Sequence, residues 1–391
     1  MTDVRVEYGK AVLFRLDSPA FGRLDVNVLG VGEDLIDVSD RVVSLSVSRG
    51  RQDALEPVRS GQASVTLRNR DGVLDPLNEA SPLFPGVEPA RTLNIYADDV
   101  QVFAGLVEDI ELDFTPGGDA IVEVVASDTL SRLALSEFPP AGVAVAEEDS
   151  GARVDAVLDS DPRYWPAGRE IATGDSTLAS GTAEGNVVEY LNAVARSEGG
   201  VIFVGRDGDL VFRNRLFAVT QAPIVLSDDA GALDYETLIR QTSGDSLRTV
   251  ALGERDGTKI ERENALGLLR FGFRALDLGR LLLRTDTEVE QRLDFELTLR
   301  SQPKPTVREV TVSQLRFPDL DVLGLELGDP LIVEFTPPSV SPITEPGVVL
   351  NVRHDFTVGN GWRTTVGMEP AVLAGFLILD TGRLDFDALA F

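Results

Sequence analysis

Apolar and polar residues alternate in short runs along most of the chain. A two-residue period is the mark of a strand with one buried and one wetted face. The first fifty residues read as strands over VRVEY, KAVLFRL, LDVNVLG and RVVSLSVSRG, separated by Asp, Gly and Pro, and none of them has helical period. Residues 42–49 alternate cleanly after Val43, as a strand of an antiparallel barrel or sandwich does. In 62–68, Ala63, Val65 and Leu67 alternate with polar neighbours before Asn69, Arg70, Asp71 and Gly72. Asp-Gly after a strand predicts a turn, because glycine accepts positive φ at little cost. Pro76, Pro82, Pro85 and Pro89 cannot sit in a central ladder, so a long crossing loop precedes the strands predicted over 91–97, 100–114 and 120–126.

Helical patterning is sparse. Residues 127–135 read as a short helix capped by Ser127 or Asp128, and 152–158 as a turn or two, whereas 159–182 are small, polar and turn-prone with no assignable element. The clearest helix covers 187–197: Asn186 stands at the N-cap, Glu189 follows as in a capping box, Val187, Leu191, Val194 and Ala195 form one stripe, and Gly199-Gly200 ends it. A hairpin follows, 201–204 and 210–213 about an Asp207-Gly208 turn. Further strands are expected at 223–227, 247–253, 259–263 and 288–299, with 276–283 either helix or strand. Strands at 307–315 and 331–335 precede a final hairpin, 348–358 and 362–368 about Gly359-Asn360-Gly361, and an apolar tail. Arg-Asp-Gly recurs at 70–72, 206–208 and 255–257, each time where a turn is expected.

Composition narrows the chemistry. A formal charge of -28 disfavours binding to a phosphate backbone, which depends on Lys and Arg. The chain has no cysteine and only one histidine, His354, so thiolate chemistry, disulfides, Cys/His zinc sites and a histidine triad are excluded. No window reaches the ~18 apolar residues of a membrane span, and no basic start leads into an apolar run as in a signal peptide, so the chain is expected to be cytosolic when made. Asp71, Asp75 and Asn78 present hard oxygen ligands in a loop, but without the terminal Glu of a calcium-binding loop they read as turn-capping side chains. Paired carboxylates raise glycoside hydrolysis, against which stands the scarcity of aromatic platforms, with only Trp165 and Trp362 present. Asp380-Thr381-Gly382 matches the aspartic-protease tripeptide in a single copy and reads as a turn, and His354 as a strand-face residue. The acidic doublets Asp98-Asp99, Glu147-Glu148 and Asp228-Asp229 read as solvated faces, or, in a ring, as carboxylates that keep a polyanion from sticking to the wall. No catalytic, cofactor-binding or metal residue is assigned, and no cofactor is expected.

Three stretches together carry a resemblance: SGQASVTLRNRDGVLDPLNEASP with the later VFAGLVEDIEL, the helix-hairpin GNVVEYLNAVARSEGGVIFVGRDGDLVFRNR, and VVLNVRHDFTVGNGWRTTVGMEP. The chain resembles, from about residue 40 onward, minor tail proteins of long non-contractile-tailed phages, and more specifically the tail hub related to the baseplate hub of contractile-tailed phages. The resemblance implies a mainly β fold with a small α/β insert: two tail-tube-like β-barrels plus peripheral domains. Mapped onto this chain it places the first barrel at 1–126, an α/β helix-hairpin domain at 127–218, the second barrel at 219–240 and 307–370, and a peripheral domain and C-terminal tail at 241–306 and 371–391. It implies a homotrimer without enzymatic activity, located in the virion at the tail tip after assembly in the host cytoplasm. Its partners would be the distal tail protein, the tape-measure protein and other minor tail or fibre proteins, with DNA a transient passenger in the lumen. Two other roles stay open at this point: a distal tail adaptor ring, and a receptor-facing tip protein that binds or cleaves glycans.

Overall fold

The computed structural model describes residues 3–12, 32–84, 86–114, 120–165, 168–229, 233–313 and 322–370. Thirteen strands join in one sheet that wraps round two separate cores. The first wrap runs, in order across the sheet, through Val42–Gly50, Arg59–Arg68, Ala120–Ser127, Val100–Phe114, Thr92–Ala97, Val4–Val12 and Gly32–Asp37. Its alternating positions bury Leu45, Val47, Val65, Leu67, Ile95, Phe103, Val122 and Val124 in one core. Asp98 and Asp99 form the two-residue turn between Thr92–Ala97 and Val100–Phe114, both with positive φ, as a tight hairpin of this hand requires. This acidic doublet is a turn-former.

The second wrap follows the order Thr237–Thr242, Pro305–Ser313, Gly361–Pro370 and Ile343–Thr357, then Pro330–Phe335 and the parallel Ile224–Ser227. Its core contains Val310, Leu331, Val333, Val352 and Val366. The two wraps repeat one arrangement that the sequence does not repeat. In each, a 15-residue strand (Val100–Phe114, Ile343–Thr357) pairs along its first part with the strand before it and hairpins onto the strand after it. Each long strand carries a β-bulge at its middle, between Val107 and Asp109 in one and Val349 and Asn351 in the other.

A peripheral α/β part packs around a third core, which draws residues from 130–212 and from 251–297 together. Its helix Val187–Glu198 has the predicted caps: the Asn186 side chain accepts from the N–H groups of Val188 and Glu189, and Gly199 at φ +78° closes the C-terminus. The short helix after the first barrel covers only Leu130–Leu133, and the 152–158 turn is the helix Ser150–Asp159. The expected strand at 288–299 is instead the helix Asp286–Arg300, started by a capping box between Thr285 and Glu288. Leu293, Phe295, Leu297 and Leu299 alternate like a strand, whereas the stripe that packs is Val289, Leu293 and Leu297 with Arg292 and Glu296 buried beside it. Those two charges hide the helical period. The segment 276–283 resolves to the strand Ala275–Arg280.

Candidate assembly surface

The two wraps meet at one seam. Ser44–Gly50 lies antiparallel beside Asn351–Thr357, with Ser44 opposite Thr357, Leu45 opposite Phe356, Val47 opposite His354 and Gly50 opposite Asn351. Phe356 belongs to the second wrap by chain position, yet its ring and that of Trp362 are part of the first wrap's core. Gly50, at φ +111°, ends the seam where a Cβ would lie 2.3 Å from the Leu350 carbonyl oxygen, so only glycine fits. His354 is fully buried here, with Nδ1 3.0 Å from Thr364 Oγ1, which also accepts from Trp362 Nε1 at 3.2 Å. Burial, reinforced by the charges of Arg49 and Arg206, pushes its pKa down to about 3, so the imidazole is neutral.

The seam makes eight strands continuous, from Thr237–Thr242 to Val100–Phe114. Since side chains alternate across a sheet, the face turned away from both cores can be read from the register. One row crosses it as Thr237, Thr311, Thr365, Arg353, Ser48 and Gln62. A second runs Arg363, Asp355, Ser46, Ser64, Val125 and Asp109, and a third Thr357, Ser44, Thr66, Glu123 and Glu111. Among the described residues these positions are exposed or half-buried, and none of them is fully buried. At the Gly50 end of the seam a cavity of about 1070 Å³ is lined by Ser48, Gln62, Arg353, Asp355 and Thr365 of this face together with the loop 51–60 and residues 299–308, which bring Arg51, Arg59, Arg300, Lys304 and Arg308 to it. Small hydroxyl side chains dominate the three rows, with carboxylates at the Val100–Phe114 end. The sequence offered the acidic doublets as pore carboxylates; the structure puts Glu111, Glu123, Asp109 and Asp355 on this face instead. Those side chains are recognisable only once the register is known.

Buried ion pairs hold the other parts to the sheet. Glu326 receives Arg49 Nη1 at 2.6 Å and the Arg206 N–H at 2.8 Å, tying the first wrap, the second and the helix-hairpin together. Arg213 donates to Asp329 at 2.6 Å and to the Leu327 carbonyl. A cavity of about 620 Å³ lies between the sheet and the helix Asp286–Arg300. Its charged wall is an alternating chain: Arg292 to Glu296 at 2.7 Å, Arg300 to Glu296 at 2.8 Å, and Glu369 reached by Arg300 at 3.5 Å and Arg51 at 3.9 Å. Burial raises the Glu369 carboxyl; it also works against the charge on Glu296, but Arg292 and Arg300 together hold that carboxylate below its usual range. Asp128 is buried too, accepting from Ser60 Oγ, the Gly61 N–H and the Leu130 N–H, and burial lifts its pKa to about 6 in spite of those bonds.

The other residues singled out from sequence have local duties. Arg41 grips Asp71 with both guanidinium nitrogens at 2.7 and 2.8 Å and holds its carboxyl below the usual range, while Asp75 and Asn78 accept from backbone N–H groups two residues on. At 206–208 and 255–257 the Arg-Asp-Gly tripeptides sit in hairpin turns, and at 70–72 in the turn that leaves Arg59–Arg68. Asp228 caps the N–H of Thr336, and Glu147 and Glu148 pair with Arg284 and Arg153. Trp165 and Trp362 are both buried, so neither is a platform for a sugar ring. Asp380-Thr381-Gly382 and the C-terminal tail lie outside the described residues.

No protein-family model matches the chain, and no curated protein matches its sequence. Solved structures do match over nearly the full length. A tail protein from Neisseria meningitidis MC58 superposes with a TM-score of 0.62 at 12% identity, covering 94% of this chain and 96% of that one. The 43 kDa tail protein of prophage MuSo2 from Shewanella oneidensis gives 0.62 at 12% identity, covering 95% and 99%. Prophage tail protein gp18 from Listeria monocytogenes EGD-e gives 0.53 at 13% identity, covering 94% and 95%. The mainly β architecture implied by the resemblance, with its two barrels and small α/β part, is the one observed, and this chain has the fold of phage tail proteins.

Proposed function

We propose that the chain is a structural subunit of a phage tail: a trimeric hub at the tail tip that continues the tube, joins it to tip or fibre proteins, and lets the tape-measure protein and DNA pass. It acts by shape and surface, without catalysis. The observation that carries this is the polar face that the seam makes continuous across both wraps. A solvated face is ordinary for a single antiparallel barrel; here the seam joins the solvated faces of two wraps into one eight-stranded surface, which a ring would use as its inner wall. Three copies would close about 24 strands; at a spacing of ~4.8 Å these give a circle about 37 Å across at the backbone, which strand tilt widens. Hydroxyl and carboxylate side chains suit such a wall. Towards Glu111 and Glu123 they repel a passing polyanion, while Arg353 and Arg363 stand in the same rows nearer the seam. The tail-protein likeness supports the same role.

Deleting the gene from a phage or inducible prophage that carries it tests the proposal. Electron microscopy should then show heads without finished tails, and the intact chain supplied in trans should restore tailed infectious particles. Normal tailed, infectious particles without the chain would refute a structural role.

A further inference from the structure

The internal seam of the chain also specifies the seam between chains. Superposing the two wraps by their bulges and hairpins sets Asp109 on Asn351, Asp113 on Asp355 and Phe114 on Phe356, because Asp109 faces Val125 as Asn351 faces Gly367. On the other side, Thr237, Leu238 and Ile239 face Thr311, Val310 and Glu309 as Ser44, Leu45 and Ser46 face Thr66, Val65 and Ser64. The strand Thr237–Thr242 thus stands where Ser44–Gly50 stands, and the end of Val100–Phe114 where Asn351–Thr357 stands. Within the chain, Ser44–Gly50 of the first wrap and Asn351–Thr357 of the second are joined to each other. Their counterparts, Thr237–Thr242 of the second wrap and the end of Val100–Phe114 of the first, are the bare ends of the continuous eight: among the described residues, nothing pairs with the outer edge of Thr237–Thr242, nor with residues 108–114 on the side away from Ala120–Ser127.

Exposure follows the same correspondence. Phe356 is 7% exposed inside the seam, and its counterpart Phe114 is 60% exposed. A large ring standing in water at a bare strand edge is a liability unless an edge of complementary register covers it.

We infer that the end of Val100–Phe114 pairs antiparallel with Thr237–Thr242 of a second copy, in the register Phe114 with Leu238, Asp113 with Ile239, Leu112 with Arg240 and Glu111 with Gln241. Phe114 then enters the second core of its neighbour, beside Leu238, as Phe356 enters the first core within the chain. The contact is head-to-tail, so each added copy leaves the same two edges free until the ring closes. This deepens the ring proposed above by naming its joint.

The chain has no cysteine, so paired cysteines report the register directly. In Asp113→Cys/Ile239→Cys the Cα atoms would face each other across neighbouring strands at about 4.5–5.5 Å, within disulfide reach. Mild oxidation should link copies covalently, with species up to a closed trimer on denaturing gels. Asp355→Cys/Ser46→Cys, the equivalent pair inside one chain, should oxidise without linking copies, and Asp113→Cys/Gln241→Cys, shifted by two residues, should link poorly. Phe114→Asp should leave the thermal unfolding of the monomer unchanged and weaken association about 30-fold or more, from the lost burial of one aromatic ring. A protein that sediments as an oligomer yet gives no 113–239 link overturns this joint and leaves the ring standing. Links that build open chains and never a closed species support the joint and overturn the trimer. A monomer without links at any concentration overturns both.

Discussion

Lowering the pH should destabilise the fold at the seam, and His354 sets how much. Its ring is fully buried between the strands that join them, opposite Val47, and its pKa is about 3 against an ordinary 6.5. The folded state therefore binds fewer protons than the unfolded chain between those values. For such a group stability is fully present above pH 6.5 and is lost as the pH falls towards 3. At pH 5 the loss from this single site is roughly 2 kcal/mol, rising to roughly 4–5 kcal/mol below pH 3. Asp128 runs the other way: its folded pKa of about 6 exceeds the unfolded value, so its burial destabilises most above pH 6 and this penalty fades as the pH falls through 6 towards 3.8, a gain of about 1 kcal/mol at pH 5. A bare pH titration would blur the two. Comparison with His354→Met separates them, because methionine fills a similar apolar volume and cannot titrate. Urea unfolding of both proteins at pH 7 and pH 5 is the assay. Wild type should lose about 2 kcal/mol more than the variant over that interval. Equal losses would refute the claim that a neutral buried imidazole sits in the seam.

Other residues give equally direct tests. Asp128→Ala strands the Gly61 and Leu130 N–H groups at the junction of barrel and helix but also removes the buried charge, so it should cost about 1–3 kcal/mol at pH 7 and about 1 kcal/mol more at pH 5 in chemical denaturation. Gly50→Ala forces a Cβ against the Leu350 carbonyl in a left-handed backbone and should cost about 2–4 kcal/mol, read as a lowered melting temperature, whereas Gly257→Ala, with open space around its exposed turn, should cost no more than about 1–2 kcal/mol. Arg300→Met removes a partner from both Glu296 and Glu369 and should cost about 3 kcal/mol. Removing Glu369 as well, in Arg300→Met/Glu369→Met, should recover much of that, since the penalty is the uncompensated buried charge.

Much of the local structure was legible in the sequence because each element carries its own signal. The serines of VVSLSVSR announce one wet face, and Ser44, Ser46 and Ser48 do line the polar face of the sheet. Asn186 and Gly199 bound their helix as their chemistry requires. The helix Asp286–Arg300 was misread because a buried Arg292–Glu296 pair interrupts its stripe while its leucines and Phe295 alternate. The seam was out of reach altogether. Alternation says that a strand has a buried face, but not that Leu45 lies beside Phe356, more than three hundred residues away along the chain. The third core likewise unites 130–212 with 251–297 through contacts that neither segment declares. The repeat of the two wraps is written in pairing, bulge and hairpin geometry and not in residue identity: Asp109 stands where Asn351 does, and Glu111 where Arg353 does.

The central claim is that this chain forms part of a tail tube with its polar sheet face inward. A reconstruction of assembled tails by electron cryomicroscopy tests it most directly. The account predicts three copies in a ring at the tail tip, coaxial with the tube, with Ser46, Ser64 and Glu123 facing the lumen and Phe114 covered by the neighbouring copy. Copies placed on the outside of the tail, or a ring in which that face points away from the lumen, would contradict it.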